Sequence, residues 1–380
     1  MTELDALRQE KARQYARISR RLWILSTGFG GAYVLAWLMA GWGPVLQSWL
    51  LEGGSWFNNP WLLVAGFGLV FGGIYFIAEL PIAYYSGYVL PHRFDQSTQT
   101  FRGWIVDQLK GLAIGSPIGL LLLELLYAAL RVSGDLWWLW AAIGMMVFNV
   151  LLSNLAPVLI MPIFNKYVPL GEDHSELSER LLALAKQAGT RVQGVYKFDM
   201  SRRTKSANAA LVGTGNTRRI VLGDTLIDEF TPDEIETILA HELGHHVHRD
   251  IPVLIAFGSI STTFGLFLAS LAMRWAVGAF GFAGVADVAA LPALAAVLGL
   301  YGLATLPLDN AVSRWREGMA DQYALQATGK SQAFASAFVR LANQNLAEVD
   351  PERWVVWLFY SHPPLEQRIA AARQWKAVAS

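Results

Sequence analysis

Residues 61–87, WLLVAGFGLVFGGIYFIAELPIAYYSG, decide the class of fold to which this chain belongs. They are almost entirely apolar and carry one charged side chain, that of Glu79. A helix that crosses the hydrocarbon core of a bilayer, about 30 Å thick, needs roughly 20 apolar residues. The stretch has this length, and it therefore predicts a transmembrane helix.

Further apolar runs of sufficient length occur at residues 22–41, 107–131, 136–160, 252–277 and 288–308. The chain is 54% hydrophobic and only 16% charged, whereas soluble domains carry about 25% charged residues. Residues 42–60 are interrupted by Gly, Pro, Glu and Asn, and they predict a loop. The predicted fold class is therefore a predominantly α, polytopic α-helical membrane protein with six spans.

Charge limits the partners and sets the orientation. The formal net charge is +0, which gives no support for a nucleic-acid partner, and the absence of cysteine excludes disulfides and thiolate metal sites. Lys and Arg precede the first span and lie between the second and third, whereas residues 42–60 contain neither. With an even number of spans, the positive-inside rule predicts both termini on the cytoplasmic side.

The apolar runs divide the chain into four parts. A membrane region of about four spans (residues 1–160) precedes a polar block (161–251), a transmembrane hairpin (252–308) and a second polar block (309–380). Both polar blocks are predicted to face the cytoplasm, where they can meet.

Local patterning predicts the elements of the polar blocks. SELSERLLALAKQAG (175–189) and TPDEIETILAHELGHHV (231–247) have helical periodicity, and VQGVYKF (192–198) and RRIVLGD (218–224) predict short strands. Thr231 is a suitable N-cap, and Glu234 completes a capping box. The second block predicts helices at residues 310–346 and 364–376.

Four polar side chains interrupt the apolar spans: Glu79, Glu124, Asn149 and Asn154. A polar group facing lipid is costly, so we expect these residues to face the interior of the bundle. They serve either interhelical hydrogen bonds or a water-accessible chamber, and the sequence leaves both interpretations open.

The sequence HELGH (241–245) fits the HExxH pattern of zinc proteases. One helical turn places His241 and His245 on the same face, where both can bind one zinc ion. Glu242 is offset by one residue, which suits a general base. His246 and His248 point away from this face and are interpreted as solvated or interfacial. The simpler alternative is a surface helix that happens to contain several histidines.

A catalytic zinc ion needs a third protein ligand, because it keeps one position open. SRWREGMAD (313–321) places Glu317 and Asp321 one turn apart on a predicted helix. One carboxylate could bind the metal, and the other could fix the tautomer of a ligating histidine. The alternative is an exposed helix face with charges four residues apart.

Together, HELGH, SRWREGMAD and YSHPPLEQRI (360–369) resemble the type I CAAX prenyl protease family of integral membrane zinc metalloendopeptidases. The likeness continues in FDQSTQTFRGWIVDQLK (94–110), MPIFNKYVPL (161–170) and the segment from SRRTKSANAA to GDTLI (201–227). It implies a zincin-like metalloprotease domain that contains a small β-sheet. Eukaryotic members are similar to a seven-span barrel around a water-filled chamber, whereas six spans are predicted here.

The resemblance also implies roles for individual residues, carried over motif by motif. His241, His245 and Glu317 match the zinc ligands, Glu242 the catalytic base, and Asp321 the acid that supports a ligand.

Three more residues match the family's cleft. Asn208 matches an asparagine that lines the substrate cleft, His362 a histidine that contacts the scissile carbonyl, and Arg368 an arginine near the same cleft.

The implied activity is removal of the C-terminal tripeptide from a prenylated CAAX protein, by one zinc ion at the cytoplasmic face of the bilayer. A membrane quality-control zinc protease that acts on misfolded proteins or peptides is an alternative. A non-catalytic metal-binding scaffold is a more distant alternative, against which the intact Glu242 argues.

Overall fold

The structure, a computed structural model, describes residues 3–213 and 217–376. It consists of long membrane helices joined to a smaller α/β domain. The helices are α1 (Ala6–Met39), α2 (Trp42–Gly53), α3 (Pro60–Tyr84), α4 (Leu90–Arg93), α5 (Phe101–Val132), α6 (Trp137–Leu155), α7 (Met161–Phe164), α8 (Ser175–Gln187), α9 (Asp224–Glu229), α10 (Pro232–Val247), α11 (Asp250–Phe280), α12 (Leu291–Thr328), α13 (Ser331–Gln344), α14 (Arg353–Phe359) and α15 (Leu365–Gln374). The strands are β1 (Tyr167–Pro169), β2 (Val195–Phe198), β3 (Ala209–Val212) and β4 (Arg219–Gly223).

The six predicted spans are confirmed among the described residues. Six helical segments are long and apolar enough to cross a membrane, with α3 continuing into α4 and α6 into α7. Their shared core is centred on Trp37, Phe67, Tyr127 and Trp137, each at most 5% exposed. Large apolar side chains on the opposite faces remain exposed, as expected where a helix faces lipid.

Residues 42–60 form none of the six candidate spans of the described residues, but the prediction of a loop there is wrong, because α2 occupies most of this segment. Leu46 and Leu50 of α2 are buried in the membrane core, and Gly43 packs directly on the backbone of Ala289. Pro44 is tolerated because it lies in the first turn, where a backbone N–H has no partner within the helix. Burial against the rest of the bundle therefore outweighs the local breaker residues.

Two of the four polar side chains within the spans, those of Glu79 and Glu124, face protein, as expected. Glu79 accepts a hydrogen bond from Ser26 Oγ at 2.5 Å, which joins α3 to α1. The side-chain nitrogen of Asn154 donates to a backbone carbonyl one turn earlier at 2.6 Å. Both carboxylate oxygens of Glu124 are buried in the bundle. Of the two interpretations that the sequence left open, an interhelical hydrogen bond therefore applies to Glu79.

The α/β domain contains a four-stranded sheet with the order β1-β2-β4-β3. Strands β2 and β4 are parallel, whereas the other two neighbouring pairs, β1–β2 and β3–β4, are antiparallel. Both β2 and β4 were predicted from the sequence. Strands β1 and β3, of three and four residues, were not predicted from the sequence. Strand β3 lies at the edge of the sheet, so one side of its backbone is not paired with another strand.

Helix α12 links the membrane bundle to the α/β domain. It runs without interruption for 38 residues and ends at Gly329, whose φ of +64° is the left-handed conformation typical of a helix C-terminus. The predicted boundary at residues 308/309 falls inside this helix, and the helix predicted at residues 310–346 is divided between α12 and α13. The continuous helix carries its last turns out of the span and into the α/β domain.

Candidate active site

Helix α10 carries the HExxH motif and begins with the predicted capping box. Thr231 N–H donates to Glu234 Oε2 at 2.8 Å, and Thr231 Oγ1 accepts from Glu234 N–H at 3.4 Å. The other carboxylate oxygen of Glu234 accepts a hydrogen bond from Arg340 at 2.9 Å. The start of α10 is therefore fixed both locally and by contact with α13.

The two histidines of the motif point at one another. His241 Nε2 and His245 Nε2 are 3.2 Å apart. The other ring nitrogens face carboxylates: His241 Nδ1 lies 2.9 Å from Asp321, and His245 Nδ1 lies 2.6 Å from Asp250. Because Nδ1–H of each ring donates to a carboxylate, the tautomer with a free lone pair on Nε2 is favoured in both.

Helix α12 brings Glu317 to the same point. Its carboxylate oxygens lie 3.2 Å from His241 Nε2 and 3.5 Å from His245 Nε2. The approach depends on Gly244, where an added Cβ would lie only 2.9 Å from Cα of Ala320 on α12. This contact explains why glycine, which has no side chain, occupies the crossing of α10 and α12.

These three residues have the arrangement that a metal ion requires. One ligand atom from each of His241, His245 and Glu317 falls within 4.8 Å of the others. Within the described residues, Glu317 Oε2 is buried without a hydrogen-bond donor, so its lone pairs are available. Two imidazoles and one carboxylate are a typical donor set for catalytic zinc, and the residues therefore fit such an ion.

The electrostatics of the cluster favour positive charge. Burial by itself lowers the pKa of His241, but the carboxylates of Asp321 and Glu317 outweigh it and raise that pKa to about 9. A cation bound at Nε2 would satisfy the same carboxylates in place of a proton.

Asp250 supports His245, a contact that the sequence pattern did not reveal. Asp250 is 3% exposed, and its second carboxylate oxygen accepts a hydrogen bond from Arg316 Nε at 2.6 Å. The chain reverses at Arg249, which has a φ of +54°, and this turn places Asp250 beside the preceding helix. A lone carboxylate five residues after the second histidine, at the start of an apolar span, is the only sequence signal for it.

Arg368 supports Asp321. Its guanidinium forms two hydrogen bonds to the Asp321 carboxylate, at 2.8 and 2.5 Å, and stacks on the ring of Phe338 at 4.0 Å. Arg368 is only 7% exposed. Arg368 was predicted near the cleft, and its guanidinium lies 3.4 Å from His241 Nδ1 and 3.9 Å from Glu317 Oε2, so contact with a substrate stays a prediction.

His362 lies on the open side of the cluster. Its Nε2 is 3.2 Å from Glu317 Oε1, its Nδ1 is 2.9 Å from Ser361 Oγ, and 57% of its side chain is exposed. Desolvation lowers the pKa of His362, an effect that the nearby Glu317 opposes. The loop at residues 361–364, SHPP, therefore lies at the site, although it is far from the HExxH motif in sequence.

The remaining predicted residues flank the cluster. Burial raises the pKa of Glu242, which makes no hydrogen bond within the described residues. Asn208 is exposed at the start of the edge strand β3, and its backbone carbonyl accepts a hydrogen bond from Gly223. In the described part of the chain, no side-chain hydrogen bond joins Asn208 to the histidines.

His246 and His248 lie outside the cluster, as their helical positions predicted. His246 Nε2 lies 3.3 Å from a guanidinium nitrogen of Arg218, and the ring of His248 lies 6.3 Å from that of Tyr323. Only two of the four clustered histidines, His241 and His245, therefore belong to the candidate metal-binding set.

Comparison with known proteins gives the same picture along the whole chain. The model of peptidase family M48 matches residues 172–376, and the model described as CAAX prenyl protease N-terminal, five membrane helices, matches residues 2–166. The chain is similar to an uncharacterized metalloprotease of Bacillus subtilis, YhfN, with 30% identity over 96% of this chain and 85% of that protein.

Two further relatives carry more specific names. The chain is 31% identical to CAAX prenyl protease 1 of Saccharomyces cerevisiae, over 78% of this chain and 68% of that protein. The crystal structure of Ste24p from S. mikatae matches with a TM-score of 0.77 and 25% identity, covering 97% of this chain and 89% of that one. The chain is thus a multi-pass integral membrane metalloendopeptidase, and it belongs to the CAAX prenyl protease family within peptidase family M48.

Proposed function

We propose that this chain is a zinc-dependent endopeptidase that removes the C-terminal tripeptide from prenylated CAAX proteins. The observation that carries the proposal is the convergence of His241, His245 and Glu317, with the second nitrogen of each ring held by a carboxylate. The names of its relatives supply the substrate class.

His241, His245 and Glu317 would hold the zinc ion. When bound, the ion would supply Lewis acidity to the water and the peptide carbonyl. Asp321 and Asp250 orient the two imidazoles, and Arg368 and Arg316 hold those carboxylates in turn.

Glu242 is the general base and acid. Its carboxylate takes a proton from the attacking water and later gives it to the leaving amine of the cleaved peptide bond. Burial raises the pKa of this carboxyl group, which makes its conjugate acid a better proton donor near neutral pH. Since it makes no hydrogen bond within the described residues, the carboxylate is available for both transfers.

The substrate lies along strand β3. The outer edge of β3 can pair with an extended peptide, and Asn208 at its start offers side-chain hydrogen bonds to that peptide. His362, which is neutral when its pKa is lowered, donates a hydrogen bond to the oxyanion that develops on the carbonyl. Arg368 acts indirectly, through Asp321.

The site faces the cytoplasm in this proposal, because the basic residues before the first span and between the second and third spans lie on the same side as both polar blocks. The proposed division of labour follows the predicted segments. Residues 1–160 and 252–308 embed the protein in the bilayer, while residues 161–251 and 309–380 supply the metalloprotease parts.

The decisive experiment incubates the full-length protein in detergent with a farnesylated and an unfarnesylated CAAX peptide, with and without a chelator. We expect cleavage of the farnesylated peptide that stops when zinc is removed and returns when zinc is added. Glu242→Gln should retain zinc and lose cleavage, whereas His246→Gln, on the same helix but outside the cluster, should stay active.

Different outcomes overturn different parts of the proposal. Equal cleavage of both peptides, together with degradation of an unfolded membrane protein, would favour the quality-control activity. A Glu242→Gln variant that cleaves at the normal rate would remove the assignment of the base.

A further inference from the structure

A cavity lined by charged side chains lies away from the active site, beside the first turns of α5. It has a volume of about 310 Å³ and is bounded by α5 on one side and by residues 202–203 on the other. Four basic residues and one acidic residue line it: Arg102, Lys110, Arg202, Arg203 and Asp107. Such an excess of positive charge around one cavity needs a physical explanation.

Three of the cations converge on the carbonyl end of α7. Lys110 Nζ donates to the carbonyl of Ile163 at 2.8 Å, and Arg202 and Arg203 both donate to that of Phe164, at 2.8 and 2.6 Å. Carbonyls at a helix C-terminus attract cations, which accounts for part of the clustering. Each cation nevertheless uses only some of its donors in this way, since an ammonium has three and a guanidinium five.

Carboxylates neutralise only part of this charge. Arg203 forms two hydrogen bonds to Asp107, at 2.7 and 3.1 Å, and is thereby compensated. Arg202 has a looser ion pair with Asp199, at 3.5 Å, and half of its side chain is exposed. In the part of the chain that the structure describes, Arg102 forms no hydrogen bond or ion pair. The four basic residues therefore outnumber the carboxylates of Asp107 and Asp199, and the cavity keeps a net positive charge.

The surroundings of the cavity are those of a bilayer surface. Phe101, Leu109 and Ile163 are 52%, 59% and 44% exposed on the same helices, at the end of the spans. The start of α5, with its partial positive charge, also lies at the cavity. A basic pocket between membrane helices, beside exposed apolar side chains, suits a phospholipid headgroup.

We propose that this cavity binds a phosphate group, and that the group belongs to an anionic phospholipid whose acyl chains lie along α5 and α7. Arg102 and Arg202 contact the phosphate directly. Lys110 of α5, whose ammonium group lies at the carbonyl end of α7, adds positive charge. Free inorganic phosphate shares the same chemistry and is the alternative source.

The experiment is native mass spectrometry of the full-length protein in detergent, titrated separately with phosphatidylglycerol, phosphatidylcholine and inorganic phosphate. Phosphatidylglycerol should bind more tightly than phosphatidylcholine, which carries no net charge. Each Lys or Arg near an anionic headgroup contributes about a fivefold change in affinity. We therefore expect Arg102→Gln to weaken the first phosphatidylglycerol about fivefold, and Arg102→Gln combined with Arg202→Gln to weaken it about 30-fold.

Arg17→Gln is the matched control, because Arg17 is an exposed basic residue of α1 outside the cavity. Its affinity for phosphatidylglycerol should stay within about twofold of the parent chain. The single Arg102→Gln variant keeps the test valid if the double variant fails to fold, since Arg102 has no protein partner to lose among the described residues.

Each outcome decides the proposal. Displacement of phosphatidylglycerol by inorganic phosphate at low concentration would identify the free ion as the ligand, and persistence of the lipid would identify the headgroup. Equal lipid binding by the parent chain, Arg102→Gln and Arg17→Gln would show that the cavity is no phosphate site.

Discussion

Asp250→Ala should weaken both the metal site and the fold, by separate mechanisms. One carboxylate oxygen of Asp250 holds His245 Nδ1 at 2.6 Å, and the other accepts from Arg316 Nε at 2.6 Å. Loss of a carboxylate that orients a ligating histidine typically lowers metal affinity about 10- to 100-fold. Arg316 is 6% exposed, and breaking a buried ion pair from one side costs about 3–5 kcal/mol of stability.

A double variant separates these two effects. Asp250→Ala combined with Arg316→Met removes both charges, so no unpaired guanidinium stays buried, and most of the lost stability should return. The orientation of His245 is still lost, so the metal affinity should stay low. Thermal unfolding of the metal-free protein in detergent measures the first quantity, and competition with a zinc chelator of known affinity measures the second.

Two results would refute this reasoning. The expected loss of zinc affinity is about 10- to 100-fold. If the zinc affinity of Asp250→Ala stays within about threefold of that of the parent chain, the carboxylate does not orient His245. If the double variant regains zinc affinity along with stability, the loss in the single variant came from general unfolding of the site.

Three more predictions follow from the contacts at the site. Gly244→Ala should lower both zinc affinity and thermal stability, because the new Cβ would meet the backbone of Ala320 at 2.9 Å; Gly258→Ala, with nothing within 4 Å, is the control for both measurements. Because carboxylates raise the pKa of His241 to about 9, zinc must displace a proton there at neutral pH. Apparent zinc affinity should therefore rise about tenfold per pH unit between about pH 7 and pH 9 and then level off in metal-buffered titrations, and a flat profile would contradict this. The Asn345 side-chain amide accepts a hydrogen bond from the backbone N–H of Ala207 at 2.8 Å and donates one to its carbonyl at 3.2 Å, directly before Asn208. Asn345→Ala should therefore raise KM for a peptide substrate more than it lowers kcat. An equal loss in zinc content would instead indicate a general structural role.

Local periodicity explains which parts of the site could be predicted from the sequence. His241 and His245 share a face because one helical turn separates them, and the capping box at Thr231 fixes the helix on which this depends. Glu317 and Asp321 are likewise one turn apart on α12, and the structure brings both to His241. These relationships lie within single helices, so spacing alone defines them.

The contacts that sequence reasoning missed lie between distant elements. Arg316 lies next to Glu317 in sequence, yet it pairs with Asp250 at the start of α11. Arg368 was expected near the cleft, and no sequence signal indicated that it also binds Asp321. In both cases the partner is decided by how α12 packs against neighbouring helices, and one sequence without its fold carries no signal for that packing.

The ends of membrane helices complete the site, so metal binding depends on how the spans pack. Asp250 begins α11, while Arg316, Glu317 and Asp321 lie on α12, and both helices continue into the bundle. Inside the bundle these two helices cross closely at Gly265, where an added Cβ would lie 2.6 Å from the ring of Tyr301. The carboxylate of Asp250 lies beside His245 Nδ1, and that of Glu317 lies near His245 Nε2. A change in this crossing would shift these two carboxylates relative to one another. The polar block at residues 161–251 contributes His241, His245 and Glu242, but Glu317 arrives only with α12, so this block by itself holds only part of the proposed metal site.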